Sequence, residues 1–184
     1  KRLTEEEFYK FAKLIYDESG IFLKESKITL LSNRLRKRLR ALNLSEFSDY
    51  FNYISALKDK SKEIEELLDV VSTNETYFFR NERQFDALKD YCIPEIIKKK
   101  NEKKLKIWSA GCSTGEEPYT IAICLLESRL LLSDWNVSIV ATDIAPSVLE
   151  FARIGKYTGR RIEKVPPEIL KKYFTQMPDN PEVY

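Results

Sequence analysis

The residues whose types and spacing best suit chemistry lie in the run Ser109-Ala110-Gly111-Cys112-Ser113-Thr114-Gly115-Glu116-Glu117-Pro118. Small residues and two glycines where a strand enters a helix let a ligand approach the backbone and turn amides toward it. The spacing is neither GxGxxG nor a P-loop, since no lysine follows Gly115. Glu116 and Glu117 at the helix start would repel a pyrophosphate. They suit a cofactor carrying a sulfonium and an ammonium, such as S-adenosylmethionine, or they are first-turn acids that only complement the helix dipole. A second position is Asp143 in Ala141-Thr142-Asp143-Ile144. A carboxylate at a strand end can accept hydrogen bonds from ribose hydroxyls, or cap the next helix. The third is Ser72-Thr73-Asn74-Glu75-Thr76-Tyr77-Phe78-Phe79-Arg80, either a pocket wall at a domain junction or a linker with packed aromatics.

Two halves must position these groups. Up to Val71 the chain has one glycine, no proline and repeated helical periodicity, which predicts an all-α domain over 1–71. Thr4 and Glu7 form a capping box for a helix over about 5–19, ended by Gly20. Ile28, Leu31, Leu35, Leu39 and Leu42 make a second stripe, and Phe47, Tyr50, Phe51, Ile54 and Leu57 a third after a Ser45 cap. Ile64, Leu67, Leu68 and Val71 make a fourth. Four short amphipathic helices bury their stripes only by packing into a small bundle.

Beyond residue 84 the pattern changes. A helix from Phe85 to Ile97 should bend or restart near Pro94. Strands over 105–110 and 137–142 flank a helix over 117–131, a parallel βαβ unit. Helices are expected over 146–154 and 167–174, then a turn-rich tail. The fold class is therefore α/β, a small all-α N-terminal bundle followed by a Rossmann-like domain over 72–184. Two strands do not finish a doubly wound sheet, so that domain reads as incomplete.

Composition removes several function classes. The 184 residues hold 43% hydrophobic and 12% aromatic side chains, enough for a core and too many for a disordered chain. The net charge of +2 predicts neither general nucleic-acid binding nor an acidic tail. With no histidine, catalysis by imidazole and histidine-containing metal sites are excluded, and no metal site is expected. Three cysteines without CxxC spacing suit a reducing cytoplasm, and no apolar run approaches the ~20 residues of a membrane span.

One local cluster departs from this balance. Between Ser26 and Ser45 stand Lys27, Arg34, Arg36, Lys37, Arg38 and Arg40, with no acid among them. On a helix Arg34, Lys37 and Arg38 lie together at i, i+3 and i+4. Such a run is a solvated face or a docking surface.

Together these segments resemble the CheR family of chemotaxis receptor methyltransferases, S-adenosylmethionine-dependent protein-glutamate O-methyltransferases. The resemblance is carried by Gly20-Ile21 to Arg40, by 73–80, by Trp108-Ser109-Ala110-Gly111-Cys112-Ser113-Thr114-Gly115-Glu116-Glu117-Pro118-Tyr119, and by 141–144. It implies a class I methyltransferase domain and a cofactor pocket formed by Asn74, Thr76, Arg80, Gly111, Glu117 and Asp143, with Arg80 near the reacting methyl. It implies S-adenosylhomocysteine as product and acidic receptor helices docked on Arg34, Lys37, Arg38 and Arg40. A cytoplasmic monomer without nucleic-acid partners or membrane insertion is expected. Family members continue past residue 184 with further strands and a later Asn and Tyr that complete the pocket. A non-catalytic receptor- or cofactor-binding module and a nucleic-acid methyltransferase are the alternatives.

Overall fold

The structure, a computed structural model, describes residues 2–128 and 135–184. The chain divides into two compact units, Lys1–Thr73 with Ile144–Pro146 and Asn74–Asp143 with Ser147–Tyr184.

The first unit is helical. Helix α1, Glu5–Ser19, starts on the expected capping box, with the Glu7 amide donating to Thr4 Oγ1 at 3.2 Å and the Thr4 amide to Glu7 Oε2 at 2.8 Å. It stops at Gly20, whose φ of 73° only glycine adopts freely. Helices α2 (Ile28–Ala41), α3 (Phe47–Ala56) and α4 (Ser61–Val71) follow. Phe8, Phe11, Ile15, Ile28, Leu31, Leu35, Leu39, Tyr50, Ile54, Ile64, Leu67 and Val71 form one core, each large side chain contributing about 1.5–3 kcal/mol. The Ser45 cap is corrected. Helix α3 begins at Phe47 with Glu46 at the N-cap and no side-chain cap bond, which leaves Ser45 one residue outside the capping position.

The second unit opens with α5 (Glu82–Ala87) and α6 (Ile93–Lys99), joined by a π turn at Leu88–Cys92. As expected, the helix restarts at the proline. It sits in the first turn of α6, where its missing N–H has no role, and the wider turn before it makes room for its ring. Strands β1 (Lys104–Ala110) and β2 (Asn136–Thr142) pair in parallel, Leu105 opposite Val137 and Ala110 opposite Thr142, around helix α7 (Glu116–Ser128). The expected end of that helix at 129–131 lies outside the described residues. Leu105, Ile121 and Leu125 pack with Phe85 and Ile93 into one core. On the opposite sheet face the registered pair Trp108 and Val140 stays 70% and 54% exposed.

Helices α8 (Pro146–Ile154) and α9 (Pro167–Tyr173) precede the tail. The tail is more than turns. The Tyr157 and Tyr184 backbones exchange hydrogen bonds at 2.7 and 2.9 Å, and Phe78, Tyr157 and Val165 form a further small core.

Candidate cofactor site

The turn after β1 is held by its neighbouring strand. The amides of Gly111 and Cys112 both donate to the Thr142 carbonyl, at 2.8 and 2.9 Å, and the Ser113 amide donates to Asp143 Oδ2 at 2.7 Å. A parallel pair whose two strands end in register makes this possible, because it delivers Ala110 and Thr142 to the same edge. Gly111 (φ 76°), Ser113 (φ 49°) and Gly115 (φ 95°) take left-handed backbone within this one turn. At Gly111 a Cβ would meet open space, whereas at Gly115 it would come within 2.8 Å of both Ala152 Cβ and the Tyr157 hydroxyl. One glycine leaves room for a ligand and the other for the protein.

Glu116 and Glu117, adjacent and alike in sequence, have separate roles. Glu116 is fully buried: its carboxylate accepts from Thr114 Oγ1 at 2.7 Å and from the Arg161 guanidinium, which also donates to Thr114 Oγ1. Glu117 is exposed and is oriented by the buried hydroxyl of Ser109, which donates to its Oε1 at 2.6 Å. Burial, with the Asp143 carboxylate adding to it, pushes the Cys112 thiol up and keeps it protonated at neutral pH. Burial likewise pushes the Tyr157 phenol up, so its hydroxyl remains a donor to the Thr114 carbonyl at 2.6 Å.

The third segment reaches the same turn. The Ser113 hydroxyl donates to the Asn74 carbonyl at 3.0 Å, and the Phe79 amide donates to Thr120 Oγ1 at 3.2 Å in the first turns of α7. Arg80 is exposed and stands between Phe79 (φ 58°) and Asn81 (φ 63°), with its guanidinium on the Glu75 carbonyl. Left-handed backbone at a phenylalanine costs of order 1–3 kcal/mol and concentrates at functional sites. Of the four non-glycine residues with positive φ among the described residues, Phe79 and Ser113 fall in these two segments and Asn81 directly follows one of them. The structure thus links the Asn74 and Asp143 positions directly to the 111–117 turn. Thr76 is half-buried on the segment leading to Arg80.

The fold divides the basic cluster on α2. Arg38 is only 12% exposed in its side chain and binds Glu63 through two bonds, Nε to Oε1 at 3.0 Å and Nη2 to Oε2 at 2.8 Å, while Nη1 meets Glu66 at 2.9 Å. The Tyr50 hydroxyl donates to the same Glu63 at 2.6 Å. Burial works against the Arg38 charge, but Glu63 more than offsets it and the group holds its proton more firmly than usual. Arg34 turns to the Val71 carbonyl and to Thr73 Oγ1 at 2.8 Å. Arg38 thus has acidic partners, on α4 rather than on its own helix. Lys37 and Arg40 are exposed.

Sequence reasoning missed Arg161 and Tyr157, and it named Ser109 as part of the loop without its bond to Glu117. Arg161 sits 45 residues from the carboxylate it binds, and nothing in Gly159-Arg160-Arg161 signals that pairing. The open backbone at Gly111, the Asp143 carboxylate on the turn and the exposed carboxylate of Glu117 fit an adenosyl sulfonium ligand, since all three are accessible acceptors or space and none is a bulky side chain.

Residues 6–72 match the family model described as CheR methyltransferase, all-alpha domain, and residues 74–183 match CheR methyltransferase, SAM binding domain. The chain belongs to the CheR family. The CheR SAM-binding match takes in Asn74, Thr76, Arg80, Gly111, Glu117 and Asp143, and the all-alpha match takes in α2. Among curated relatives, a chemotaxis protein methyltransferase of Borreliella burgdorferi is 38% identical over 97% of this chain and 64% of its own length. Chemotaxis protein methyltransferase 2 of Pseudomonas aeruginosa is 39% identical over 93% of the chain and 59% of its own. The Escherichia coli chemotaxis protein methyltransferase is 34% identical over 94% and 57%. The chain thus spans roughly three fifths of the length of these CheR relatives. No helix among the described residues is long and apolar enough to cross a membrane.

Proposed function

We propose that the chain carries the cofactor-binding part of a methyltransferase that moves a methyl group from S-adenosylmethionine to glutamate side chains of chemoreceptor cytoplasmic helices, releasing S-adenosylhomocysteine. The observation that carries this reading is the Asp143 carboxylate on the Ser113 amide, beside a glycine turn open to a ligand. Asp143 is assigned to the ribose hydroxyls, and Glu117, oriented by Ser109, to the cationic end of the ligand. Gly111 supplies the close backbone approach, and Asn74, Thr76 and Arg80 line the facing segment.

The bound sulfonium supplies an already activated methyl group. A glutamate carboxyl in water loses its proton near pH ~4.3, so the acceptor is already ionised at neutral pH and no general base is required of a chain without histidine. What remains is positioning, which supplies up to about 7–11 kcal/mol in favourable cases. Arg80 is assigned to orient the acceptor carboxylate through charge-assisted hydrogen bonds. Lys37 and Arg40 are the exposed charges assigned to acidic receptor helices, while Arg34 and Arg38 hold α2 in place.

The test mixes the chain with methyl-labelled S-adenosylmethionine and soluble receptor cytoplasmic helices, and measures S-adenosylhomocysteine binding by calorimetry in parallel. Base-labile methyl esters on receptor glutamates are the expected product. Failure to bind S-adenosylhomocysteine overturns the cofactor assignment. Binding without transfer to any receptor glutamate overturns the catalytic assignment for this chain, and transfer to RNA or DNA instead overturns the substrate.

A further inference from the structure

The ion pair of fully buried Glu116 with Arg161, whose side chain is 33% exposed, lies beside the candidate cofactor turn but has no part in the assignments above. A pair of well-packed apolar residues would stabilise a core as well or better, because burying the Glu116 charge costs several kcal/mol of hydration. What an apolar pair cannot do is fix torsions. Arg161 donates to both Glu116 and Thr114 Oγ1, and Thr114 is the residue between the left-handed Ser113 and Gly115. Its guanidinium lies 4.8 Å above the Phe151 ring centroid, which limits where the fork can point. Its own carbonyl accepts the Phe78 amide at 2.9 Å, two residues from Arg80. Flanking residues repeat the link: Arg160 pairs with Glu75 at 3.3 Å, and Lys164 stands 4.8 Å over the Tyr77 ring. On the turn side, Tyr157 holds the Thr114 carbonyl.

We propose that Arg161 is a positioning residue that holds the 111–116 turn and the 74–80 segment in one cofactor-competent geometry. The proposal rests on the reading of that turn as an S-adenosyl site. Arg161 itself is not placed against the ligand. It acts through Thr114 and Glu116 on one side and through Phe78 on the other.

The experiment compares the chain with R161K, R161M and the double variant E116Q/R161M, which removes both charges of the pair while keeping the Glu116 shape. S-adenosylhomocysteine affinity is measured by calorimetry, thermal stability by circular dichroism, and amide hydrogen exchange at Ser113, Thr114 and Gly115 by NMR. The double variant is expected to regain the stability that R161M loses, yet to bind S-adenosylhomocysteine about tenfold more weakly than the unaltered chain, the scale of one lost charged hydrogen bond. Its turn amides should exchange faster, and R161K should recover part of the affinity. If R161M does not fold, the other two variants carry the test. A double variant with unaltered affinity and exchange overturns the proposal, because Arg161 would then only neutralise Glu116. An unaltered chain that fails to bind S-adenosylhomocysteine overturns the cofactor assignment itself, and this proposal with it.

Discussion

The basic helix α2 and the acidic start of α7 make an instructive pair. Each presents a run of like charges in sequence, and in each the fold divides the run. On α2, Arg34 and Arg38 turn inward to α4 and the residues after it, while Lys37 and Arg40 stay in water. On α7, Glu116 is fully buried on Arg161, while Glu117 stays exposed. The difference lies in what the exposed member has beside it. Glu117 is oriented by a buried hydroxyl and flanks a turn of left-handed backbone, whereas Lys37 and Arg40 project from a regular helix face. A charge that is exposed and also oriented is equipped for a small ligand. An exposed charge on a plain helix face suits a broad electrostatic partner, which attracts at longer range and is screened by salt.

The comparison breaks most readily at Arg38. Replacing it by alanine strands the buried Glu63 carboxylate, and a loss of about 3–5 kcal/mol in urea unfolding is expected. A loss under about 1 kcal/mol would return Arg38 to the solvated face. Next comes the turn. Gly115→Ala should cost about 1–3 kcal/mol, because the new methyl meets Ala152 and Tyr157 on a left-handed backbone, and Gly111→Ala should cost less because its methyl meets nothing. Equal losses at the two glycines would remove the distinction between the ligand side and the protein side of the turn. A smaller effect sharpens the α7 half: Glu117→Gln should leave thermal stability nearly unchanged and weaken S-adenosylhomocysteine binding by about tenfold. Unchanged affinity would take Glu117 out of the site. The smallest stability effect belongs to the double reversal K37E/R40E, within about 0.5 kcal/mol of the unaltered chain. Its consequence should appear in receptor binding, with weaker association at low salt and a flatter salt dependence. Receptor affinity equal to that of the unaltered chain would discard α2 as the docking face.

Much of this fold was legible beforehand because it rests on local rules. The four apolar stripes up to Val71 appear as four helices, and Thr4 with Glu7 caps the first as their spacing requires. The βαβ unit followed from two short apolar strands around a helix, and the turn between them was recognisable from its glycines. Ser45 misled because a good capping residue does not set the helix start by itself: α3 begins at Phe47 instead. Pro94 was read correctly as the place where the helix restarts, but the π turn that precedes it was not foreseen. Of the site, Asp143 and the Gly111 turn were legible from their place at strand ends. Tyr157, Arg161 and the role of Ser109 toward Glu117 were not, because a phenol, a guanidinium and a hydroxyl look like ordinary packing or surface groups until their partners are known.

The amino-acid order by itself determined where the helices and strands run, that two strands lie parallel, and which turn is free of bulk. Those properties depend on neighbours a few residues apart. Only the tertiary structure decided which of two adjacent like charges is buried and which is left for a partner. That choice depends on whether an opposite charge arrives from far along the chain, 25 residues away for Arg38 and 45 for Glu116, and on burial removing the water that would otherwise solvate both.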